Sequence, residues 1–120
     1  MENSATNDRI KKMLFGTVYP LYLTKVEKKG RTKVELDQVI SWLTGYSIKD
    51  IERHIQERTT FEIFFAEANL PTNAQLITGL ICGHRAEEIE NELTKKVRML
   101  DKLVDELAKG KKMEKILRSA

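Results

Sequence analysis

Cysteine and histidine are scarce in this chain, and their scarcity excludes disulfide frameworks and the usual zinc sites. Cys82 is the only cysteine among 120 residues, so no intrachain disulfide can form, which suits a reducing cytosol. A zinc site needs at least three protein ligands. Cys82 and His84 supply two, and the only other histidine, His54, is expected on the exposed side of its helix. We therefore expect neither a bound metal nor another cofactor.

Long apolar runs are missing as well. The longest apolar stretch, residues 76–83, is far shorter than the about 20 residues that a membrane-spanning helix needs. The opening residues, MENSATNDRIKK, contain no apolar segment after their charges, so no signal peptide is predicted. We expect a cytoplasmic protein of bacterial type that does not enter a membrane.

The familiar catalytic motifs are also lacking. The sequence has no serine elbow, no glycine-rich phosphate loop and no paired-carboxylate motif. Cys82 follows two apolar residues, Leu80 and Ile81, which predicts a buried and unreactive thiol. The neighbouring His84 and Arg85 leave a cysteine nucleophile as an alternative, because cations lower a thiol pKa. The sequence names no reaction, and an enzyme ranks third among the functions considered.

Helix signals are abundant and define an all-α fold. Capping boxes, in which a hydroxyl and a carboxylate three residues later satisfy two free N–H groups, occur at Thr32–Glu35 and Ser47–Asp50. The predicted helices run over about 18–29 behind a Thr17 cap, 33–44, 48–57, 61–68 behind a Thr60 cap, and 86–109. The residues expected to face inward in the first four are Val18, Leu21, Tyr22, Val26, Leu36, Val39, Ile40, Leu43, Ile48, Ile51, Ile55, Phe61, Phe64, Phe65 and Ala68, and Val34 is expected to be a hydrophobic staple.

The clearest helical pattern lies near the C-terminus. Its apolar residues recur every three or four positions, at Ala86, Ile89, Leu93, Val97, Leu100, Val104 and Leu107. We predict a compact single-domain bundle of about five helices over 8–120, with 86–109 as its spine and 1–7 as a disordered tail. Residues 76–85 contain β-branched residues and glycines that favour a strand or an irregular turn. No second clear strand is available to pair with them, so a helix is preferred there.

Four blocks of sequence resemble the signature of one small bacterial family. They are VYPLY at 18–22, KGRTKVELDQVISWLTGY at 29–46, LITGLICGHRAEEIE at 76–90 and LDKLVDELAKGKKMEKIL at 100–117. In this order they are similar to the domain-of-unknown-function family number twenty-two hundred, over about Arg9 to Arg118. The resemblance implies a small single-domain bacterial protein, and it implies no reaction, cofactor or catalytic residue.

Residues 37–56 also resemble a helix-turn-helix aligned on Gly45. Thr44 and His54 fall where that pattern requires apolar residues. The second helix, IKDIERHIQE, mixes acidic and basic residues, so a phosphate backbone would be repelled by its carboxylates. We predict that this stretch, including Trp42, is mainly core and that its turn only joins two helices.

A basic run is the one candidate binding site in the sequence. Five cations lie within nine residues around the Thr32 cap: Lys25, Lys28, Lys29, Arg31 and Lys33. Free N–H groups and the helix dipole favour an anion at such a helix start. The alternative is a solvated helix end. Lys111, Lys112, Lys115 and Arg118 would add to the surface if the C-terminal tail folds onto the same side.

These observations favour a non-enzymatic interaction domain. Its expected partner is another protein or a second copy of this chain, for example through an exposed apolar face of the long helix. The alternative is weak binding of a nucleic acid or another anion by the basic run.

Overall fold

The chain folds around one long helix near its C-terminus. The computed structural model describes residues 4–81 and 84–118. In chain order the helices are α1 (Ser4–Lys12), α2 (Phe15–Glu27), α3 (Lys33–Thr44), α4 (Ile48–Gln56), α5 (Phe61–Ala66), α6 (Glu92–Ala108) and α7 (Met113–Ile116). The strands are β1 (Leu80–Ile81) and β2 (His84–Arg85), and 3₁₀ turns cover Thr72–Leu76 and Ala86–Glu88.

Helix α6 is buried on almost every side. It contacts α1, α2, α3, α5, α7 and β1. Its leucines at 100, 103 and 107 are completely buried, and the polar residues Thr94 and Glu106 are buried with them. The predicted all-α class with a long helix near the C-terminus is therefore confirmed. Among the described residues, no helix combines the length and the apolar character needed to cross a bilayer.

The start of α6 differs from the sequence prediction. The apolar pattern predicts a start near residue 86, but the helix begins at Glu92 behind Asn91, whose Oδ1 accepts a hydrogen bond from Thr94 N at 2.9 Å. Ala86 and Ile89 precede the helix and are nevertheless buried. Their spacing continues the helical pattern because they face the same core, so periodicity alone could not locate the cap.

Helix α1 contradicts most of the predicted disordered tail. Residues 4–7 belong to this helix, and residues 1–3 lie outside the described chain. Two contacts with the core hold α1 in place. Thr94 Oγ1 donates a hydrogen bond to Asn7 Oδ1 at 2.7 Å, and Ile10 is buried in the core. A polar segment is thus ordered by contacts with residues that lie far away in the sequence.

Helix α2 begins three residues earlier than predicted, and Thr17 is not its cap. Long-range backbone pairing sets this start: Phe15 N donates to Thr59 O at 2.9 Å, and Phe61 N donates to Met13 O at 2.8 Å. Pro20 consequently lies inside the helix, where it removes one backbone hydrogen bond, rather than in the first turn. The local signals at 17–20 were outweighed by this pairing.

The three other predicted caps are confirmed. Both capping boxes form with reciprocal hydrogen bonds, and Thr60 accepts from Ile63 N at 3.3 Å. Gly45 ends α3 with a φ of 78°, and a Cβ at this position would lie 3.2 Å from Asn69 O. Only glycine combines this left-handed backbone with so close an approach.

The Thr32 cap gives a first testable prediction. Thr32 Oγ1 accepts a hydrogen bond from Glu35 N at 3.2 Å, and Glu35 Oε1 accepts one from Thr32 N at 3.0 Å. We expect Thr32→Ala to lower the free energy of unfolding by about 1 kcal/mol, because it leaves a helix N–H without its partner. Thr32→Asp should cost much less, since its carboxylate can accept the same bond. Urea denaturation of both variants tests this, and equal stability of all three proteins would show that the cap contributes nothing.

Two residues predicted to face inward are exposed instead: Leu21, which is 66% exposed, and Ile48. The prediction that Val18, Tyr22 and Val26 face inward is confirmed. Tyr19 joins them on the buried face of α2, where its hydroxyl donates a hydrogen bond to the buried Asp37. A tyrosine whose hydroxyl finds a carboxylate can fill a core position.

Within 76–85, the described residues Leu80–Ile81 and His84–Arg85 are paired strands and not the preferred helix. Strand β1 pairs antiparallel with β2, and Ala86 N donates to Gly79 O at 2.9 Å. Gly79 has a φ of 106°, which does not suit a helix, and Lys102 Nζ of α6 donates to Leu80 O at 3.2 Å. Each strand has only two residues. That is too short for an alternation of apolar and polar residues to be recognised in the sequence. The predicted burial of Cys82 concerns a residue outside the described chain.

Candidate functional site

The basic run largely carries its own counter-ions. Lys25 Nζ lies 3.4 Å from Asp105, Arg31 Nη2 lies 3.0 Å from Glu35, and Lys33 Nζ lies 2.7 Å from Asp37. The remaining two cations, Lys28 and Lys29, are exposed, and no carboxylate of the described residues is within ion-pair distance of either. The five cations are therefore not equivalent as binding groups.

The start of α3 is partly occupied by a carboxylate of the same helix. The Glu35 carboxylate already accepts a hydrogen bond from the first free N–H group, that of Thr32. The Arg31 guanidinium, and then the Thr32 N–H, hold the pKa of Glu35 below its usual range. Two N–H groups at this helix terminus, those of Thr32 and Glu35, are therefore already engaged within the chain.

Arg31 joins two parts of the chain that lie about eighty residues apart. Its Nη1 donates to Lys111 O at 2.9 Å and to Leu107 O at 3.2 Å, while Nε and Nη2 both donate to Glu35. The turn after α2 consequently lies beside the turn after α6. Of the C-terminal cations named in the sequence, this contact places Lys111 next to the basic run.

We call the resulting lysine-rich surface the basic end. The name covers the exposed lysines of the two adjoining turns and of α7, which follows the second turn along the chain: Lys28, Lys29, Lys109, Lys111, Lys112 and Lys115. Segments 25–37 and 105–118 together contain ten basic and six acidic residues, whereas the rest of the chain contains eleven basic and twelve acidic ones. All of the net positive charge of the protein therefore resides in these two segments.

Buried and half-buried carboxylates of α6 are shared between cations at this end. Asp105 contacts both Lys25 and Lys109, at 3.4 and 3.0 Å. Glu106 is buried and pairs with Arg118 at 2.8 Å and with Lys111 at 3.3 Å. Sequence reasoning missed these counter-ions, since nothing local relates Asp105 to a lysine eighty residues away.

The helix-turn-helix segment is part of the core, as the sequence predicts, but His54 is not exposed. Only 1% of its surface is accessible, and its ring packs against Tyr46 and Phe64 with ring centroids 4.6 and 5.2 Å away. Arg53 can only donate to His54 Nε2, 3.5 Å away, so Nδ1 carries the hydrogen and donates to Thr59 Oγ1 at 2.9 Å. The histidine is neutral and structural.

His54 makes stability depend on pH. Burial, and then the Arg53 guanidinium, lower the pKa of His54, while the carboxylates of Glu67, Glu57 and Asp50 partly oppose this. The unfolded chain therefore binds a proton more readily than the folded one. We expect full stability above about pH 6.5, the ordinary histidine value, and a progressive loss as pH falls below it.

Urea midpoints at pH 7.5, 6.5 and 5.5 measure this loss. His54→Gln is the control, because it removes the titrating group and should flatten the profile between pH 7.5 and 5.5. A profile of the same slope in wild type and variant would assign the loss to other groups.

The second candidate site is a cleft. It has a volume of about 400 Å³ between α1, α5 and the start of α6, and is lined by Asn7, Asp8, Lys11, Glu62, Phe65, Ala66, Asn91, Glu92, Leu93 and Lys96. It is open, and its ionisable lining residues are three carboxylates and two lysines, of which Lys11 and Glu62 form an ion pair at 3.5 Å. Within residues 4–81 and 84–118, no group of three histidine, cysteine or acidic residues is placed to hold a metal ion.

The ionisable groups whose pKa is strongly raised are two tyrosines of the core, and each donates a hydrogen bond within the protein. Burial, and then the hydrogen bond to Asp37 at 2.5 Å, raise the pKa of Tyr19 to about 12. Burial also raises the pKa of Tyr46 to about 12, and its hydroxyl donates to Phe64 O at 2.5 Å. Neither group lines the cleft. A catalytic site is typically marked by an ionisable group with a shifted pKa that faces a cavity, and these two tyrosines do not form such an arrangement.

The comparisons with known proteins assign the family. The profile of DUF2200, described as an uncharacterized protein conserved in bacteria, matches residues 9–118. The chain belongs to this family. The crystal structure of uncharacterized protein SP1917 is 41% identical, covers 92% of this chain and 91% of its own, and superimposes with a TM-score of 0.86. No curated protein matches the chain. The predicted membership of DUF2200 is confirmed, and it brings no site residue with it.

Proposed function

We propose that this DUF2200 protein is a non-enzymatic interaction domain that binds an anionic macromolecule through the basic end. The observation that carries the proposal is the Arg31 contact with Leu107 O and Lys111 O, which places two lysine-rich turns side by side. Side chains of one sign that converge on one surface raise the local potential and attract a partner of opposite charge.

The local excess of charge, rather than the presence of lysines, supports a binding role. Lysines at the C-terminal ends of α2 and α6 also balance the helix dipoles, and this alone explains one or two of them. It does not explain why the two segments have an excess of basic residues while the rest of the chain carries one more acidic than basic residue. Lys28, Lys29 and Lys112 make no ion pair with a described residue, so they are available to a partner.

Association through an exposed apolar face of the long helix is less well supported. None of the large apolar residues of α6, all of which the structure describes, is exposed. A stable self-association surface normally has an apolar centre, and α6 is enclosed by other elements of its own chain. A second copy of this protein would have to bind elsewhere.

Retention on immobilised heparin, a polyanion, tests the proposal. We expect the double variant Lys28→Gln, Lys29→Gln to elute at clearly lower salt than wild type. The matched control is Lys12→Gln, Lys49→Gln, which removes the same charge from exposed positions outside the basic end. The control should elute close to wild type. Equal elution of the two variants would show that net charge alone is responsible, and the proposal would then be rejected.

A further inference from the structure

We propose that the anionic partner is the phosphate backbone of a nucleic-acid duplex, bound without sequence specificity, and that Arg31 is the residue that positions the binding surface. This inference rests on the proposed function and names its partner. The choice of partner follows from the kinds of hydrogen-bond donor that the basic end presents. The role of Arg31 follows from the contacts that hold the two turns together.

The exposed donors of the basic end are ammonium groups. The two arginines nearby have their planar guanidinium groups engaged: Arg31 with Glu35 and two carbonyls, and Arg118 with both carboxylate oxygens of Glu106 at 2.9 and 2.8 Å. Specific recognition of a base edge typically uses such a bidentate guanidinium or an amide. Lysines act as mobile point charges, which suit phosphate oxygens and carry no sequence information.

A single strand would find fewer favourable contacts than a duplex. Proteins that bind single strands stack bases on aromatic side chains, and segments 25–37 and 105–118 contain no aromatic residue. The nearest aromatic residues along the chain are Tyr22, which is buried, and Trp42, which is half-buried and packs against the core. A duplex offers one negative charge per about 1.7 Å of its axis, a density that an acidic protein surface does not reach. The basic end therefore fits a duplex best.

Arg31 is required because it connects the two halves of the surface. One terminal nitrogen reaches the carbonyl oxygens of both Leu107 and Lys111, while its other two donors hold Glu35. A lysine has a single ammonium group and cannot occupy both positions. Arg31→Lys thus keeps the charge of the protein and removes the paired hydrogen bonds from Arg31 to the turn after α6.

The experiment is a fluorescence titration with three probes: a labelled mixed-sequence duplex of about 20 base pairs, the corresponding single strand, and labelled poly-glutamate. Wild type is titrated with each probe at 50 and 200 mM salt. If four of the lysines contact phosphates, the slope of log affinity against log salt is about −3.6, and the duplex affinity falls about 150-fold between the two salts. The slope for Lys28→Gln, Lys29→Gln should be about −1.8, with a fall of about 12-fold.

The Arg31→Lys variant distinguishes the effect of Arg31 on the position of the lysines from the effect of its charge on duplex affinity. With the fold verified by circular dichroism, we expect about tenfold weaker duplex binding at 50 mM salt, comparable to the loss of one or two phosphate contacts. The Lys12→Gln, Lys49→Gln control should bind as wild type does. If Arg31→Lys does not fold, the slope of the Lys28→Gln, Lys29→Gln variant still decides the question of the partner.

The outcomes are distinguishable. Tighter binding of the duplex than of the other two probes, with the expected slopes, supports the inference. Equal or tighter binding of poly-glutamate or of the single strand overturns it, while the proposed function survives. Binding of none of the three probes at 50 mM salt overturns both. A folded Arg31→Lys variant that binds the duplex like wild type refutes the positioning role.

Discussion

Leu100→Ala is expected to lower the free energy of unfolding by about 2–5 kcal/mol. Leu100 lies at the middle of α6 and is completely buried. Its truncation loses the transfer free energy of the removed isopropyl group. It also leaves a cavity, because helices from several parts of the chain surround this position and cannot all relax into the space.

The chain offers a matched control for this substitution. Leu21 is also helical, but it is 66% exposed, so Leu21→Ala makes the same chemical change without a cavity. We expect this variant to differ from wild type by less than about 0.5 kcal/mol. Urea denaturation of both variants gives the comparison. A loss below about 1 kcal/mol for Leu100→Ala would show that the centre of α6 is not a tightly packed core.

Phe64→Ala is expected to cost about 3–5 kcal/mol. Phe64 is completely buried at the centre of an aromatic cluster, where it stacks on Phe15 with ring centroids 4.1 Å apart. It also contacts Tyr46, His54, Phe61 and Phe65. Aromatic pairs contribute beyond the area that they bury, so several interactions are lost together.

The neighbouring position provides the control for this second variant. Ile63 precedes Phe64 in α5 but is 49% exposed, so Ile63→Ala should have a much smaller effect. Phe64→Leu should lie between the two alanine variants, since it retains most of the apolar volume. Denaturation midpoints measured at pH 7.5 keep His54 neutral in all variants. Equal losses at positions 63 and 64 would contradict the assignment of Phe64 to the core.

The basic end shows how far the sequence leads toward a candidate site. The clustering of Lys28 and Lys29 is visible in the sequence, and so is the second group of lysines near the C-terminus. Which of these cations remain available could not be predicted. Lys25 is neutralised by Asp105, and that pairing exists only because α2 packs against α6.

His54 illustrates a different reason for a wrong prediction. A histidine beside an arginine in a polar helix is typically placed on the exposed face. Here the ring is enclosed by aromatic residues, and its two nitrogens have partners in Arg53 and Thr59. A buried polar group is tolerated when its hydrogen bonds are satisfied, and the residue that satisfies them was not identifiable from the local pattern.

The sequence by itself determined the features that depend on a few neighbouring residues. The two capping boxes, the Thr60 cap, the left-handed glycine after α3 and the apolar stripe of α6 all follow from local chemistry and helical periodicity. Tertiary structure alone decided the start of α2, the hairpin at 80–85 and the assembly of the basic end by Arg31. Each of these depends on hydrogen bonds between segments whose approach is set by packing of the whole chain, and no local pattern encodes that approach.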